Sequence, residues 1–285
     1  MIILSSPEEL QQTALTLRAQ GHRLGLVPTM GNLHEGHLSL IRMAKAQAQD
    51  VIVSDFVNPI QFGPNEDYAS YPRTFERDCE LCEKEGAAYV FHPEAAAMYS
   101  PGCSVSLIET SLSRYLCGAS RPGHFNGVCT VVAKLFLLAQ PHVAVFGQKD
   151  AQQLRVLRRM VRDLNFPVQI IGAPIVREAD GLALSSRNQY LSAEERRQAP
   201  ALHHALQACE ACFAQGERRV AVLRATLQKT LTAEAPDGRP DYLTLADDET
   251  LETLPDDSAV TRPVLVALAV RFGKTRLIDN TPLIP

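Results

Sequence analysis

Short apolar runs alternate with amphipathic stretches through the first 175 residues, and the alternation predicts strands and helices in turn. "HRLGLVPT" reads as a strand and "EGHLSLIRMAKAQA" as a helix. "DVIVSDFVN" is a β-branched strand. "YPRTFERDCELCEKEG" is a helix with proline near its start and glycine at its end. "AAYVFHP" is a short strand, and "SVSLIET" is either a small excursion or an edge strand. "GVCTVVAKLFLLAQP" is a largely apolar helix, "HVAVFGQ" a strand, and "DAQQLRVLRRMVRDLN" a helix that Asp150 can cap. "VQIIGAPIV" closes the series as a strand. Strands this apolar, with helices between them, predict an α/β fold: a parallel sheet with helices on both faces.

From about Ile175 the pattern changes. A loop, "READGLALSSRNQYL", leads to Ser192, where "SAEE" matches a capping box. Helical periodicity then runs to about Ala235. The remaining strand candidates, "DYLTLAD", "PVLVALAV" and "TRLIDN", have no helices between them. They predict a small antiparallel sheet packed on helices. The expected organisation is therefore a first domain over 1–175 and a smaller α+β domain over 176–285.

Composition narrows the class without naming an activity. Of the 285 residues 46% are hydrophobic and 21% charged, which suits a globular protein. A formal net charge of −4 provides no global field for nucleic acid or anionic lipid. No apolar run has the length of a membrane span, and "MIILSSPEELQQ" lacks the basic start and apolar stretch of a secretion signal. A cytoplasmic protein is expected, with no nucleic-acid or membrane partner. The seven cysteines include two C-x-x-C pairs, Cys79/Cys82 and Cys209/Cys212, which invite a zinc reading with His203 and His204 nearby. Both pairs lie inside helical patterns, where small thiols three apart also fit a core-facing stripe. Arg155, Arg158, Arg159 and Arg162 form a helical basic stripe, which reads as a solvated face ahead of a nucleic-acid surface.

Candidate chemistry collects where strands give way to helices. In "VPTMGNLHEGHLSLIRMAK", a strand ends in a glycine turn and feeds a helix N-terminus, an arrangement that makes an anion site. Gly31 and Gly36 allow close backbone approach, and backbone N–H groups are expected to point at the mouth. His34 and His37, three apart, share one side of the first turn and can hydrogen-bond phosphate oxygens. The metalloprotease signature does not apply, because one residue rather than two separates Glu35 from His37. A capped turn with solvated histidines is the plainer reading of H-x-x-H alone. "FGQKDAQQ" follows another parallel strand. There Gly147 permits close approach, Lys149 offers a point charge to phosphate, and Asp150 can cap the helix or hold a metal-bound water. Gln153 lies one turn further on. "LALSSRNQYL" places Ser185, Ser186 and Arg187 in a loop that can close over a triphosphate. In "FVNPIQFGPNEDYASYPR", Asn58 and Gln61 stand among Phe56, Ile60 and Phe62, a mix that suits a small ligand with hydroxyls and methyls. "RPGHFNGV" adds Arg121 and His124, which can line the same cleft.

Taken together, these five ordered segments resemble the pantothenate synthetase (pantoate–β-alanine ligase) family through nearly the whole chain. Wider relatives are the nucleotidylyltransferases and class I aminoacyl-tRNA synthetases, which share the H-x-G-H turn. The resemblance implies a Rossmann-like first domain, a smaller second domain carrying a mobile basic loop, and a homodimer formed through the first domain. It implies an ATP-dependent condensation of (R)-pantoate with β-alanine that releases AMP and pyrophosphate. Mg²⁺ is expected to bind through the ATP phosphates, with no metal site of the protein's own. By the same resemblance Met30, Gly31, Asn32, Leu33, His34, Glu35, Gly36 and His37 match one ATP segment, with His37 as proton donor. Gly147, Gln148, Lys149 and Asp150 match a second, although some relatives carry glutamate at the place of Gln148. Leu184, Ser185, Ser186 and Arg187 match a third, and Val176 lies at the adenine side. Gln61 and Gln153 match the pantoate-binding glutamines.

Amide formation from a carboxylate needs a leaving group, and an acyl adenylate supplies one. His34, His37, Lys149, Ser185, Ser186 and Arg187 are the expected catalytic set, and no cysteine is expected to act. Two other readings remain at this point: a nucleotidylyltransferase that stops at an adenylylated or cytidylylated product, and a nucleotide-binding regulator without turnover.

Overall fold

The structure, a computed structural model, describes residues 1–64 and 66–285. The first half alternates strand and helix in the order β1 (Ile2–Leu4), α1 (Pro7–Ala19), β2 (Leu24–Thr29), α2 (Glu35–Lys45), β3 (Asp50–Asp55), α3 (Phe75–Lys84), β4 (Tyr89–Phe91) and α4 (Ala95–Met98). There follow α5 (Leu116–Ser120), α6 (His124–Ala139), β5 (Val143–Gly147), α7 (Ala151–Asp163) and β6 (Gln169–Ala173). The helices α8 (Ala193–Gln198), α9 (Ala201–Ala214) and α10 (Val220–Glu234) precede β7 (Arg239–Asp247), β8 (Val264–Phe272) and β9 (Thr275–Leu283).

The chain divides into two compact units. The first comprises Met1–Thr110, Arg121–Gln148 and Gln153–Pro174; the second comprises Ser111–Ser120, Lys149–Gln152 and Ile175–Pro285. In the first, six parallel strands run in the order β1-β4-β3-β2-β5-β6. Alternate side chains of the strands meet helices on opposite faces, as the two-residue strand period requires. Val27, Val51, Val53 and Val145 pack with Ile41 of α2 and Cys82 of α3. Leu24 packs with Ala14 and Leu17 of α1. The expected α/β sheet is therefore present, with the strands read at "HRLGLVPT", "DVIVSDFVN", "AAYVFHP", "HVAVFGQ" and "VQIIGAPIV" in place.

The edge strand β1 and the helix α1 were not among the expected elements. Ser6 caps α1 in a full capping box with Glu9, and Pro7 opens the helix. "SVSLIET" forms no ladder among the described residues. Its Leu107 N–H donates instead to Thr130 Oγ1 of α6 at 2.9 Å.

The second unit carries the antiparallel sheet β7-β8-β9. Leu202, Leu206 and Cys209 of α9 and Leu223, Leu227 and Leu231 of α10 pack on Val264, Val266 and Leu268 of β8. The capping box expected at Ser192 is formed with Glu195. Both C-x-x-C pairs lie inside helices, and burial pushes the Cys82 and Cys209 thiols up to about 12. No group of three or more His, Cys, Asp or Glu among the described residues is arranged to hold a metal ion, and no described helix is long and apolar enough to cross a membrane.

Candidate functional site

β3 and β4 lie on one side of β2, while β5 and β6 lie on the other. The strand order thus reverses between β2 and β5, and in an open parallel sheet ligands bind at the carboxyl ends of such a pair. The residues that leave those two ends are Met30 to His37 and Gly147 to Asp150.

The turn after β2 is built around a buried carboxylate. Gly31 has φ of 75° and Asn32 φ of 50°, both in the left-handed region. A side chain at Gly31 would place its Cβ 2.5 Å from Asp55 Oδ1, so only glycine fits. Asp78 at the start of α3 is 1% exposed. Its oxygens accept from the Asn32 N–H at 2.7 Å, the Leu33 N–H at 2.8 Å and the Thr74 hydroxyl at 2.9 Å. The Gly31 N–H donates to Thr29 Oγ1 at 3.2 Å. The sequence predicts backbone N–H groups at the mouth of this segment; these three donate inside the protein, where they fix the turn. The start of α2 and the two imidazoles remain the candidate anion-binding groups of this segment.

His34 is the N-cap of α2, and its ring lies 4.1 Å from that of His37, centroid to centroid. The His34 N–H donates to His37 Nδ1 at 3.3 Å. A backbone N–H can only donate, so Nδ1 accepts and a neutral His37 ring carries its proton on Nε2. His37 thereby presents a donor, the form a phosphate oxygen needs. Glu35 is turned to Arg42 in an ion pair.

Gln61 ends a short 3₁₀ turn, Pro59–Gln61, that lies against α6. Asn58 is 1% exposed; its Nδ2 donates to Gln61 Oε1 at 3.0 Å and to the Gly127 carbonyl at 3.2 Å, and its Oδ1 accepts from the Tyr99 hydroxyl at 2.7 Å. The side chain expected to touch substrate thus serves here as the support of Gln61. With Oε1 held by Asn58, Gln61 Nε2 points to Met30 Sδ at 3.1 Å. The amide expected for substrate and the turn expected for ATP are thereby in direct contact. Gln153 lies on α7 and is half-buried. The Gln148 Nε2 donates to the Gly172 carbonyl at 3.4 Å, next to the end of β5 at Gly147.

In the second unit, the expected ATP residues Val176 and Leu184 are paired: the Leu184 N–H donates to the Val176 carbonyl at 3.0 Å. The segment read as a plain loop is a hairpin, with Arg177 bridged to Ala183 and Gly181 at its tip with φ of 92°. Arg177 forks onto the buried Asp279 at 2.6 and 2.9 Å. Ser185 caps the 3₁₀ turn Ser186–Tyr190, and its Oγ accepts from the Arg187 N–H at 3.3 Å. Asn188 Nδ2 anchors that turn to Glu178 Oε1 and the Ala183 carbonyl at 2.9 and 3.1 Å. The Lys149 Nζ lies 3.7 Å from Asp150 Oδ2, and Asn280 Nδ2 donates to the Lys149 carbonyl at 2.9 Å. Asp150 sits in a 3₁₀ turn, Gln148–Asp150, that runs directly into α7.

Residues 2–282 match the model of the Pantoate-beta-alanine ligase family. The chain belongs to the pantoate–β-alanine ligase family. A pantothenate synthetase of Thermotoga neapolitana is 54% identical over 283 residues, covering 99% of this chain and 100% of the relative. A crystal structure of pantothenate synthetase from Thermus thermophilus superposes with a TM-score of 0.93 at 46% identity, covering 100% of both chains. Another, the ligase of Francisella tularensis complexed with β,γ-ATP and β-alanine, gives a TM-score of 0.80 at 32% identity, covering 99% of this chain and 97% of that one. The expected activity, ATP-dependent ligation of pantoate to β-alanine, is borne out by this membership, as is the expected α/β fold with its small second sheet. Two groups that hold the candidate site are not among the residues the sequence motifs single out. In the sequence Asp78 is one charge in a helix, and Glu66 one residue of a polar loop.

Proposed function

We propose that the ligation proceeds through pantoyl adenylate formed at the carboxyl ends of β2 and β5. The carrying observation is the pair of His34 and His37 rings 4.1 Å apart on a turn whose Met30 touches Gln61. Candidate phosphate donors and a candidate pantoate ligand lie on two segments that meet at Met30. In the first step the pantoate carboxylate attacks the α-phosphorus in line, an O–P bond forms, and pyrophosphate leaves. In the second, the β-alanine amine attacks the acyl carbon, a C–N bond forms, AMP leaves and the nitrogen loses a proton.

The chain has to place these groups and stabilise spreading phosphate charge; it supplies no covalent nucleophile. His37 donates from Nε2 to a phosphate oxygen, with His34 beside it. Lys149 and Arg187 neutralise the remaining phosphates, Ser185 and Ser186 donate hydrogen bonds to them, and Val176 and Leu184 meet the adenine. Gln61 and Gln153 hold pantoate. Asp150, a carboxylate 48% exposed, is the kind of oxygen donor that Mg²⁺ accepts beside phosphate oxygens. Bound there, Mg²⁺ would neutralise part of the triphosphate charge. A homodimer through the first unit and a cytoplasmic location complete the reading. A sedimentation run that shows only monomer would remove the dimer.

ATP–pyrophosphate exchange with pantoate and without β-alanine tests the adenylate directly. His37→Ala should lower exchange about a hundredfold, the worth of one preorganised donor, with an unchanged melting temperature. Near-normal exchange by the folded variant removes His37 from the chemistry. No pantoate-dependent exchange in the parent enzyme removes the adenylate.

A further inference from the structure

We propose that Arg121, His124 and Glu66 form a clamp that holds Gln61 in register and thereby sets the affinity for pantoate. The inference rests on the reading of Gln61 as a pantoate ligand and assigns three positioning residues to it.

The Gln61 carbonyl accepts from His124 Nδ1 at 2.9 Å and from Arg121 Nη2 at 3.5 Å. Arg121 Nη1 lies 3.0 Å from His124 Nε2. A guanidinium can only donate and a carbonyl can only accept, so one tautomer satisfies both contacts: Nδ1 carries the proton and Nε2 the lone pair. Arg121 thus selects the ring form that grips Gln61. Glu66 in turn fixes Arg121, accepting from Nε at 2.6 Å and from Nη2 at 2.7 Å in a two-pronged pair. Its Oε2 also accepts from the Gly63 N–H at 3.2 Å, which closes the loop on itself. All three guanidinium nitrogens therefore donate within the unit, so Arg121 acts as a strut here instead of offering its charge to a phosphate.

The close approach is permitted by Gly127. A Cβ there would sit 2.4 Å from the Ile60 carbonyl oxygen and 2.6 Å from Gln61 Cα, both backbone atoms that cannot swing away. Backbone and side chain of Gln61 are thus fixed separately. The clamp and Gly127 set the main chain, while Asn58 sets the amide so that Nε2 is turned to the Met30 sulfur. A ligand oxygen needs only to displace the weak Met30 thioether to be received.

Pantoate and ATP KM values in the exchange assay, with melting temperatures, test the clamp. Glu66→Gln and His124→Ala should each raise the pantoate KM about tenfold, as expected for a small misplacement of a binding group, with the ATP KM within about twofold of the parent. The double variant should stay nearer tenfold than the hundredfold of independent sites. His124→Asn, which keeps a donor near the Nδ1 position, should return the pantoate KM to within about threefold of the parent on the same basis. Should His124→Ala not fold, the contrast between His124→Asn and Glu66→Gln carries the same comparison. An unchanged pantoate KM in Glu66→Gln and His124→Ala overturns the clamp. So does a parallel rise of both KM values with a falling melting temperature, the mark of a merely structural role. Gln61→Ala separates the two layers. If it raises the pantoate KM while the clamp variants do not, the clamp alone falls; if it leaves that KM unchanged, the Gln61 reading falls and the clamp with it.

Discussion

The histidine turn of the first unit and the serine–arginine hairpin of the second both present polar groups suited to a polyphosphate, yet they are held by different means. In the turn, a carboxylate that is 1% exposed takes two backbone amides, and a glycine at φ of 75° leaves room for a neighbouring acid. In the hairpin the grip comes from side-chain charges. Arg177 forks onto Asp279, and Arg196 reaches Glu178 and Asp180 at 2.6 Å each while remaining 31% exposed. Hydrogen bonds sealed from water keep their strength as salt rises, whereas exposed ion pairs are screened. The difference teaches that the hold on the turn is indifferent to salt, whereas part of the hold on the hairpin, the Arg196 pairs, weakens as salt rises.

The strongest way to break the contrast is Asp78→Ala. It removes the acceptor of the buried Leu33 amide and of the half-buried Asn32 amide, and should cost about 4 kcal/mol by denaturant titration. A cost under about 1 kcal/mol, the worth of one ordinary hydrogen bond, would mean that the turn holds itself. Arg177→Met comes next. It leaves the Asp279 carboxylate, 2% exposed, without its partner and should cost about 3 kcal/mol, with a higher ATP KM in the exchange assay. An unchanged ATP KM in a destabilised Arg177→Met protein would detach the hairpin from nucleotide binding.

A pH scan sharpens the picture of the turn. Burial pushes Asp55, beneath Gly31, up from 3.8 to about 6; the neighbouring Asp78 charge adds to the shift, while His92 opposes it. The folded chain therefore keeps a proton between those values that the unfolded chain has lost. Stability falls as pH rises through that window, by at most about 3 kcal/mol, and the cost persists at pH 7. Asp55→Asn should raise the melting temperature at pH 7.5 and leave it unchanged near pH 4. A variant with the parent's slope across the window would assign that slope to other groups. The smallest effects belong to the helix caps: Ser6→Ala and Ser192→Ala should each cost about 1 kcal/mol in thermal melts. A loss below about 0.3 kcal/mol would show that the Glu9 or Glu195 carboxylate alone suffices to hold the helix start.

The parallel sheet was legible because its strands are buried on both faces and read as continuous apolar runs. Val51 to Val53 and Val143 to Val145 could hardly be anything else. β1 was not, because it is three residues long and leaves Ile2 and Ile3 more than half exposed at the sheet edge. α1 carries the same Ser-x-x-Glu signal as α8, but it lies in the N-terminal stretch where the absence of a targeting pattern is the dominant sequence feature. At the site, the histidines and glycines announced themselves through local spacing. Asp78 acts on a turn 46 residues away, a separation that no local pattern spans. One signal was nevertheless available: Asp78 lies four residues before the buried Cys82, on the stripe that faces the core, where an unpaired charge is not tolerated. Glu66 and Arg121, 55 residues apart, offered no comparable cue, and the second half of the clamp became visible only in three dimensions.

The chain does not finish one unit before starting the other. Ser111–Ser120 and Lys149–Gln152 belong to the second unit although they precede most of it in sequence. In that unit Cys117 Sγ meets the Tyr242 hydroxyl at 3.3 Å, Ser120 donates to Asp241 at 2.9 Å, and Gln152 donates to the Leu112 and Tyr115 carbonyls at 2.8 and 2.7 Å. A gene cut at Ile175 would therefore yield a downstream polypeptide shorn of two of its own pieces, with Tyr242 laid bare. Recombining halves of related enzymes at that boundary would pair each graft with foreign inserts, so successful chimeras must carry all three stretches from one parent.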